Sequence, residues 1–142
     1  MSEARWGESW AKPILWGIGV GLFQAFSPVW FWWLAPTLVW SLALVAIASV
    51  YVGFAVADGR PRVLAVEVGV TFAFVILAAI TIVASPWLSV IALVAHGLKD
   101  LWQHRTQFVA NTRWWPPFCL VVDFVAATVI AVLLLTGFRL GG

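Results

Sequence analysis

Charge is scarce in this chain. Only 10% of its 142 residues are Asp, Glu, Lys or Arg, against about 25% in a soluble domain. Hydrophobic residues make up 63%, and the mean hydropathy is +1.01. A water-soluble fold of this size cannot cover so much apolar surface, so the bilayer is the expected solvent for most of the chain. Cysteine occurs once, at Cys119, which excludes an intramolecular disulfide. No polar stretch is long enough to act as a linker, which predicts a single transmembrane domain over residues 1–142. The net charge of +2 comes without a basic stripe, and nucleic-acid binding is set aside. Glu3 and Glu8 lie among Arg5 and Lys12 near the start, and no small-residue cleavage site follows a short apolar core. The first hydrophobic segment is therefore expected to stay in the mature protein.

What is abundant is tryptophan and phenylalanine, with 11 Trp and 10 Phe. Trp favours the membrane–water interface, where the ring is in apolar surroundings and the N–H stays wet. Between the aromatic turns lie five apolar segments, at about 13–33, 37–57, 63–84, 86–104 and 117–138. A helical span needs about 20 residues at 1.5 Å rise each. The fourth segment reaches that length only by including Lys99, Asp100 and His104, which must then face protein, water or headgroups. The breaks hold turn residues: Ser27–Pro36 with two prolines, Asp58–Arg62, Ser85–Pro86 and Asn111–Pro117. The expected fold is an all-α polytopic membrane bundle of five transmembrane helices. The alternative is four spans, with residues 13–57 re-entrant or differently divided.

The few cations set an orientation. With five spans, Arg5, Lys12, Arg60, Arg62, Lys99, Arg105 and Arg113 fall on one side and Arg139 on the other. The positive-inside rule then predicts an inner-membrane protein with a cytoplasmic N-terminus and an exported C-terminus. Small residues, Gly17-x-Gly19-x-Gly21 and Ala126-Ala127, suit close helix packing.

Ionisable residues inside such spans are costly and mark sites of function. His96, Asp100 and His104 repeat at i, i+4, i+8, along one side of a helix. Glu67 lies about 7 Å in from the cytoplasmic edge, Asp123 about 9 Å, Asp100 about 7 Å and His96 about 13 Å, taking the helical rise from the nearest turn. Three helices thus bring Glu67, His96, Asp100, His104 and Asp123 to similar depths, and one inward cavity open to the cytoplasmic leaflet is the economical arrangement. Imidazoles and carboxylates in a helical bundle suit a divalent metal such as Zn, Fe or Mn. Those five residues are the candidate ligands. A metal-free site has His96 or His104 as general base oriented by Asp100, so His96, Asp100 and Asp123 are the candidate catalytic residues. Cys119 is read as a small buried apolar residue.

The favoured function is binding or modification of a small apolar or lipid-like molecule, with Arg113, Trp114 and Trp115 holding a headgroup at the interface. Whether this makes the chain an enzyme is left open. One alternative is a non-catalytic accessory or assembly subunit of a larger membrane complex, in which the acids and histidines pair with Lys99, Arg105, Arg113 or a partner's helices. Another is an oligomeric proton or ion transporter, although no polar path crosses all the spans of one chain.

The stretch from His96 to Asp123, HGLKDLWQHRTQFVANTRWWPPFCLVVD, resembles a segment of small uncharacterised bacterial multi-span membrane proteins. Those proteins share an H-G-x-x-D helix end, a Trp/Pro-rich turn and an Asp in the next span. The resemblance covers only that stretch and implies a common multi-span fold and a common site at His96, Asp100 and Asp123. It implies no activity. In composition the chain is also similar to the tryptophan-rich sensory proteins that bind porphyrins and sterols. Their Trp/Pro pattern falls in a different span, and the acidic/His cluster is not part of it.

Overall fold

The computed structural model describes the backbone of residues 4–140 and the side chains of residues 10–140. Arg5, used in the orientation argument, lies outside the described side chains. The described residues form five α-helices: α1 (Ala4–Phe26), α2 (Pro36–Asp58), α3 (Pro61–Val83), α4 (Trp87–Thr106) and α5 (Trp115–Thr136), with a 3₁₀ turn at Ser27–Val29 after α1. The fold is all-α. Three helices, α2, α3 and α5, are long and apolar enough to cross a membrane. The first nine residues of α1 include Arg5, Glu8 and Lys12, and α4 holds Lys99, Asp100 and Arg105 in its second half. Those charges set the two helices apart from the other three.

Proline and glycine set most of the boundaries. Pro36 and Pro61 open α2 and α3 in the first turn, where a missing N–H costs nothing. Gly59 closes α2 at φ 80°, a left-handed conformation that lacks a steric penalty only for glycine. The first helix departs from expectation. It begins at Ala4 rather than 13 and ends at Phe26 rather than 33. Pro13 sits inside the helix rather than starting it. Pro28 ends it early, because the residue before a proline is pushed out of α geometry.

α5 packs along α1 on one side and α4 on the other, while α2 and α3 form a hairpin whose open side meets α4. The apolar core runs through Leu44 and Ala48 of α2, Ala92 and Leu93 of α4, and Ala126, Ala127 and Ile130 of α5. α3 stands at the margin, with Phe72 64% and Val83 85% exposed. A helix this apolar on its open face suits lipid rather than water.

Two close approaches rest on glycine. A Cβ on Gly17 would lie 2.7 Å from Val121 Cβ, and one on Gly21 would lie 2.8 Å from the Val122 carbonyl oxygen. α1 and α5 thus touch backbone to backbone, as small-xxx-small pairs allow. Gly19 faces open space and takes no part in that contact, a correction to the three-glycine pattern. Gly21→Ala should therefore destabilise the fold by about 1–3 kcal/mol through overpacking, while Gly19→Ala should be neutral or slightly stabilising. Thermal unfolding of the two variants in detergent checks the contrast, and equal melting temperatures would refute the α1–α5 contact.

The α2–α3 turn and the α4–α5 loop are stitched together. Arg60 donates from Nε and Nη2 to the Asp58 carboxylate at 2.6 and 2.7 Å, and also to the Phe108 carbonyl at 2.7 Å. The Ala110 N–H donates to Asp58 Oδ2 at 2.7 Å. The bond to Asp58 raises the Arg60 guanidinium above its ordinary value. Buried Gln103 secures the same loop, donating to the Val109 carbonyl at 2.8 Å and accepting its N–H at 3.1 Å. These ties hold Gln107, Asn111 and Arg113 at φ 50°, 62° and 46°, a conformation unfavourable for residues other than glycine.

Candidate functional site

The buried face of α4 is formed by Ser89, Ala92, Leu93, His96, Asp100 and Gln103, the i, i+3/i+4 stripe of a helix packed on neighbours. Gly97, beside that stripe, admits α5: a Cβ there would lie 2.9 Å from Phe124 Cε2 and 3.4 Å from Asp123 Cβ. The close fit brings His96 against Asp123, whose Oδ2 lies 2.7 Å from His96 Nδ1. Asp100 Oδ2 is 3.4 Å from the same nitrogen. Both carboxylates are fully buried and His96 is 1% exposed.

α2 and α3 complete the cluster. Tyr51 donates its hydroxyl to Asp100 Oδ1 at 2.6 Å. Lys99 reaches back over the Tyr51 ring, its Nζ 3.1 Å from the ring centroid, and donates to Glu67 Oε2 at 2.7 Å. Phe74 sets its ring edge to face with His96 at 5.0 Å between centroids. A connected run therefore goes from Glu67 through Lys99, Tyr51 and Asp100 to His96 and Asp123. Formally, three carboxylates face one ammonium and one imidazole. With the imidazole neutral, two negative charges remain buried, and such an excess needs a compensating cation or proton.

Cys119 lies one helical turn before Asp123 and is 1% exposed. His96, Asp100, Cys119 and Asp123 each offer a donor atom, and these four atoms all lie within 4.8 Å of one another. The group can hold a metal ion. Several of its polar atoms are buried without a hydrogen-bond partner: His96 Nε2, Asp100 Oδ2 and Asp123 Oδ1. Free lone pairs in a buried, negatively charged setting are what a cation would use.

The structure brings together four of the five expected ligand residues, but not as one ligand set. His96, Asp100 and Asp123 are in the group. Glu67 is buried nearby and ion-paired with Lys99. His104 departs from the expectation: it sits in the last turn of α4 with its ring 4.9 Å from that of Trp10. The reason is helix geometry. Each four-residue step overshoots a full turn by about 40°, so the third member of an i, i+4, i+8 series is about 80° round from the first. Gln103, at i+7, occupies the buried position instead. Sequence reasoning also undervalued Cys119 and passed over Tyr51. Cys119 shares a face with Asp123 at i, i+4, and Tyr51 is the chain's single tyrosine, placed inside an apolar span where its hydroxyl must find a partner.

Of the three residues expected to hold a headgroup, Trp114 and Trp115 keep their rings 5.7 Å apart between centroids, but they do not share one cavity with Arg113. Trp114 lines a cavity of about 750 Å³ with Lys12, Trp16 and Phe118 among its walls. Arg113 and Trp115 are not among that lining. Trp115 turns toward Phe54 at 5.9 Å and Phe118 at 5.2 Å. The cavity lies between the N-terminal parts of α1 and α5, and Phe118 on its wall directly precedes Cys119.

No protein-family model, no curated protein and no solved structure matches this chain.

Proposed function

We propose that this chain is a five-span inner-membrane protein with a buried divalent-metal centre at His96, Asp100, Cys119 and Asp123. The observation that carries the reading is the set of four buried donor side chains from two adjacent helices, with donor atoms within 4.8 Å of one another. The charge excess supports it as well. With Cys119 bound as a thiolate, Glu67, Asp100, Asp123 and Cys119 against Lys99 leave three formal negative charges, of which a divalent ion would offset two. One thiolate, one imidazole and two carboxylates suit zinc first, with iron or manganese as the oxygen-favouring alternatives.

When bound, such an ion supplies a Lewis acid in a dry site. The protein's own groups orient the ligands. Tyr51, which is outside the ligand group, fixes Asp100 through Oδ1, the kind of outer contact that orients a metal ligand. In this reading α1 and α4 join α2, α3 and α5 in the bilayer, with the N-terminus cytoplasmic. The cavity beside Trp114 then opens at the inner leaflet, and its mainly apolar walls and Lys12 suit a small lipid-like molecule.

Elemental analysis of protein purified gently from membranes tests the metal reading. About one equivalent of a divalent metal is expected, falling to background in His96→Ala that retains its helical circular dichroism. A metal-free wild-type protein that also takes up no added zinc would overturn it. A second reading, the accessory subunit, is favoured by the pairs Lys99–Glu67, Tyr51–Asp100 and His96–Asp123, which satisfy much of the cluster from within the chain. It gains if the protein is metal-free and is isolated with a larger complex.

A further inference from the structure

The segment between α4 and α5, residues 107–114, carries no helix. Its Val109 is fully buried and joins Tyr51 and Ala55 of α2 and Val63 of α3 in a small apolar cluster. Tyr51 links that cluster to the polar one, since its hydroxyl donates to Asp100 Oδ1 at 2.6 Å. Val109 therefore fills the space between α2, α3 and α4 at the end of the bundle nearest Asp100. Thr112, 2% exposed, also turns in, while Gln107, Asn111 and Arg113 face out. Those three outward residues are the ones with left-handed backbone. Residues other than glycine hold that conformation only where their surroundings enforce it, and switch segments are one place where it collects.

Side chains of the α2–α3 turn and of α4 do the enforcing. Asp58 accepts from the Ala110 N–H at 2.7 Å, and Arg60 donates to the Phe108 carbonyl at 2.7 Å. Gln103 holds Val109 by its N–H at 3.1 Å and its carbonyl at 2.8 Å. The Arg60 side chain is 57% exposed and that of Asp58 1%, so the latch can be reached from solvent although its anchor is buried. Releasing the segment strands no charge, because Asp58 keeps Arg60 as its partner. It also frees strained backbone and uncovers little beyond Val109. Parting the helices would instead break open the core shared by α2, α4 and α5. The least costly opening from the buried cluster to water thus runs through this segment.

We propose that residues 107–114 form a latched plug, with Val109 as its stopper, and that withdrawal of the plug is the route by which a divalent cation reaches His96, Asp100, Cys119 and Asp123. The plug stands on the packing alone; the cation route rests on the metal reading above.

The chain's single cysteine reports on the opening, because Cys119 is 1% exposed and its sulfur lies within 4.8 Å of an Asp100 oxygen. The full-length protein in nanodiscs, with chelator present to keep the thiol unligated, is treated with a charged, water-soluble methanethiosulfonate, and modification is timed by mass spectrometry. Asp58→Asn should speed it about ten- to hundredfold, the loss of a charge-assisted bond. Gly21→Ala loosens α1 on α5 without touching the loop, and should change the rate less than about twofold if opening is local. No acceleration in Asp58→Asn, or equal acceleration in both variants, would overturn the plug. If Asp58→Asn fails to fold, hydrogen exchange of the unaltered protein decides. The Val109 and Ala110 amides should then exchange together and ahead of the middle turns of α4 and α5, and exchange no faster than those turns would overturn the plug. Zinc uptake and release, followed by chelator competition, test the route. Both should accelerate in Asp58→Asn by the factor seen for Cys119, at unchanged affinity. Zinc exchange indifferent to Asp58→Asn would refute the route and leave the plug standing. A wild-type protein that takes up no zinc would refute the metal centre and the route with it, while the plug is still judged on Cys119.

Discussion

Lys99→Met should destabilise the protein by about 3–5 kcal/mol, and adding Glu67→Gln should recover most of the loss. Lys99 Nζ and Glu67 Oε2 are 2.7 Å apart, with the two side chains 12% and 1% exposed. Removing the ammonium leaves a carboxylate stranded among apolar neighbours. The penalty is then the desolvation of an unpaired charge, far above the ~1 kcal/mol of an exposed pair. Replacing both partners removes the stranded charge, and only lost packing remains. Methionine keeps most of the lysine stem, so the ring of Tyr51 stays covered. Thermal unfolding in detergent, followed by circular dichroism across the double-mutant cycle, measures the coupling. A single-variant cost below about 0.5 kcal/mol would mean that Glu67 is solvated and that the cluster is not a closed unit.

That prediction depends on Lys99 folding inward, and here the limits of sequence reading show. Four of the five helices were legible within a few residues, because prolines and glycines punctuate a uniformly apolar background. α1 was harder to place. Its charged first turns carry no apolar signal, and Pro13 looks like a helix start although the backbone runs through it. The meeting of Glu67, His96, Asp100 and Asp123 was legible from depth alone, since a charge buried in a span has few places to go. Depth carries no rotation, however. It could not separate Gln103, about 20° round the helix from His96, from His104, about 80° round in the other sense. Nor does sequence reveal which neighbour satisfies a given acid. Lys99 was read as the end of an apolar run, yet its stem is long enough to bring the charge back over Tyr51. Cys119 was read as a small buried apolar residue although Asp123 follows it by one helical turn. The same neighbourhood is favourable once the thiol is considered as a ligand, and only the coordinates bring Asp100 and His96 to it.

Cys119 also offers the most discriminating test of the metal centre. Cobalt(II) bound by the four-residue group should give a near-ultraviolet thiolate-to-metal charge-transfer band, and Cys119→Ser should abolish it while imidazole and carboxylates still hold the ion weakly. Tyr51→Phe should behave differently. It deletes one hydroxyl that touches Asp100 at 2.6 Å and no donor of the group, so the band should persist while affinity falls about 10–100-fold, the usual cost of losing a partner that orients a ligand. The two variants separate a residue that touches the ion from one that aims its ligand. Competition with a chelator of known affinity gives the constants. A cobalt spectrum identical in wild type and Cys119→Ser would place the ion elsewhere. The buried carboxylates would then rest on the contacts the chain itself supplies, Lys99 to Glu67, Tyr51 to Asp100 and His96 to Asp123.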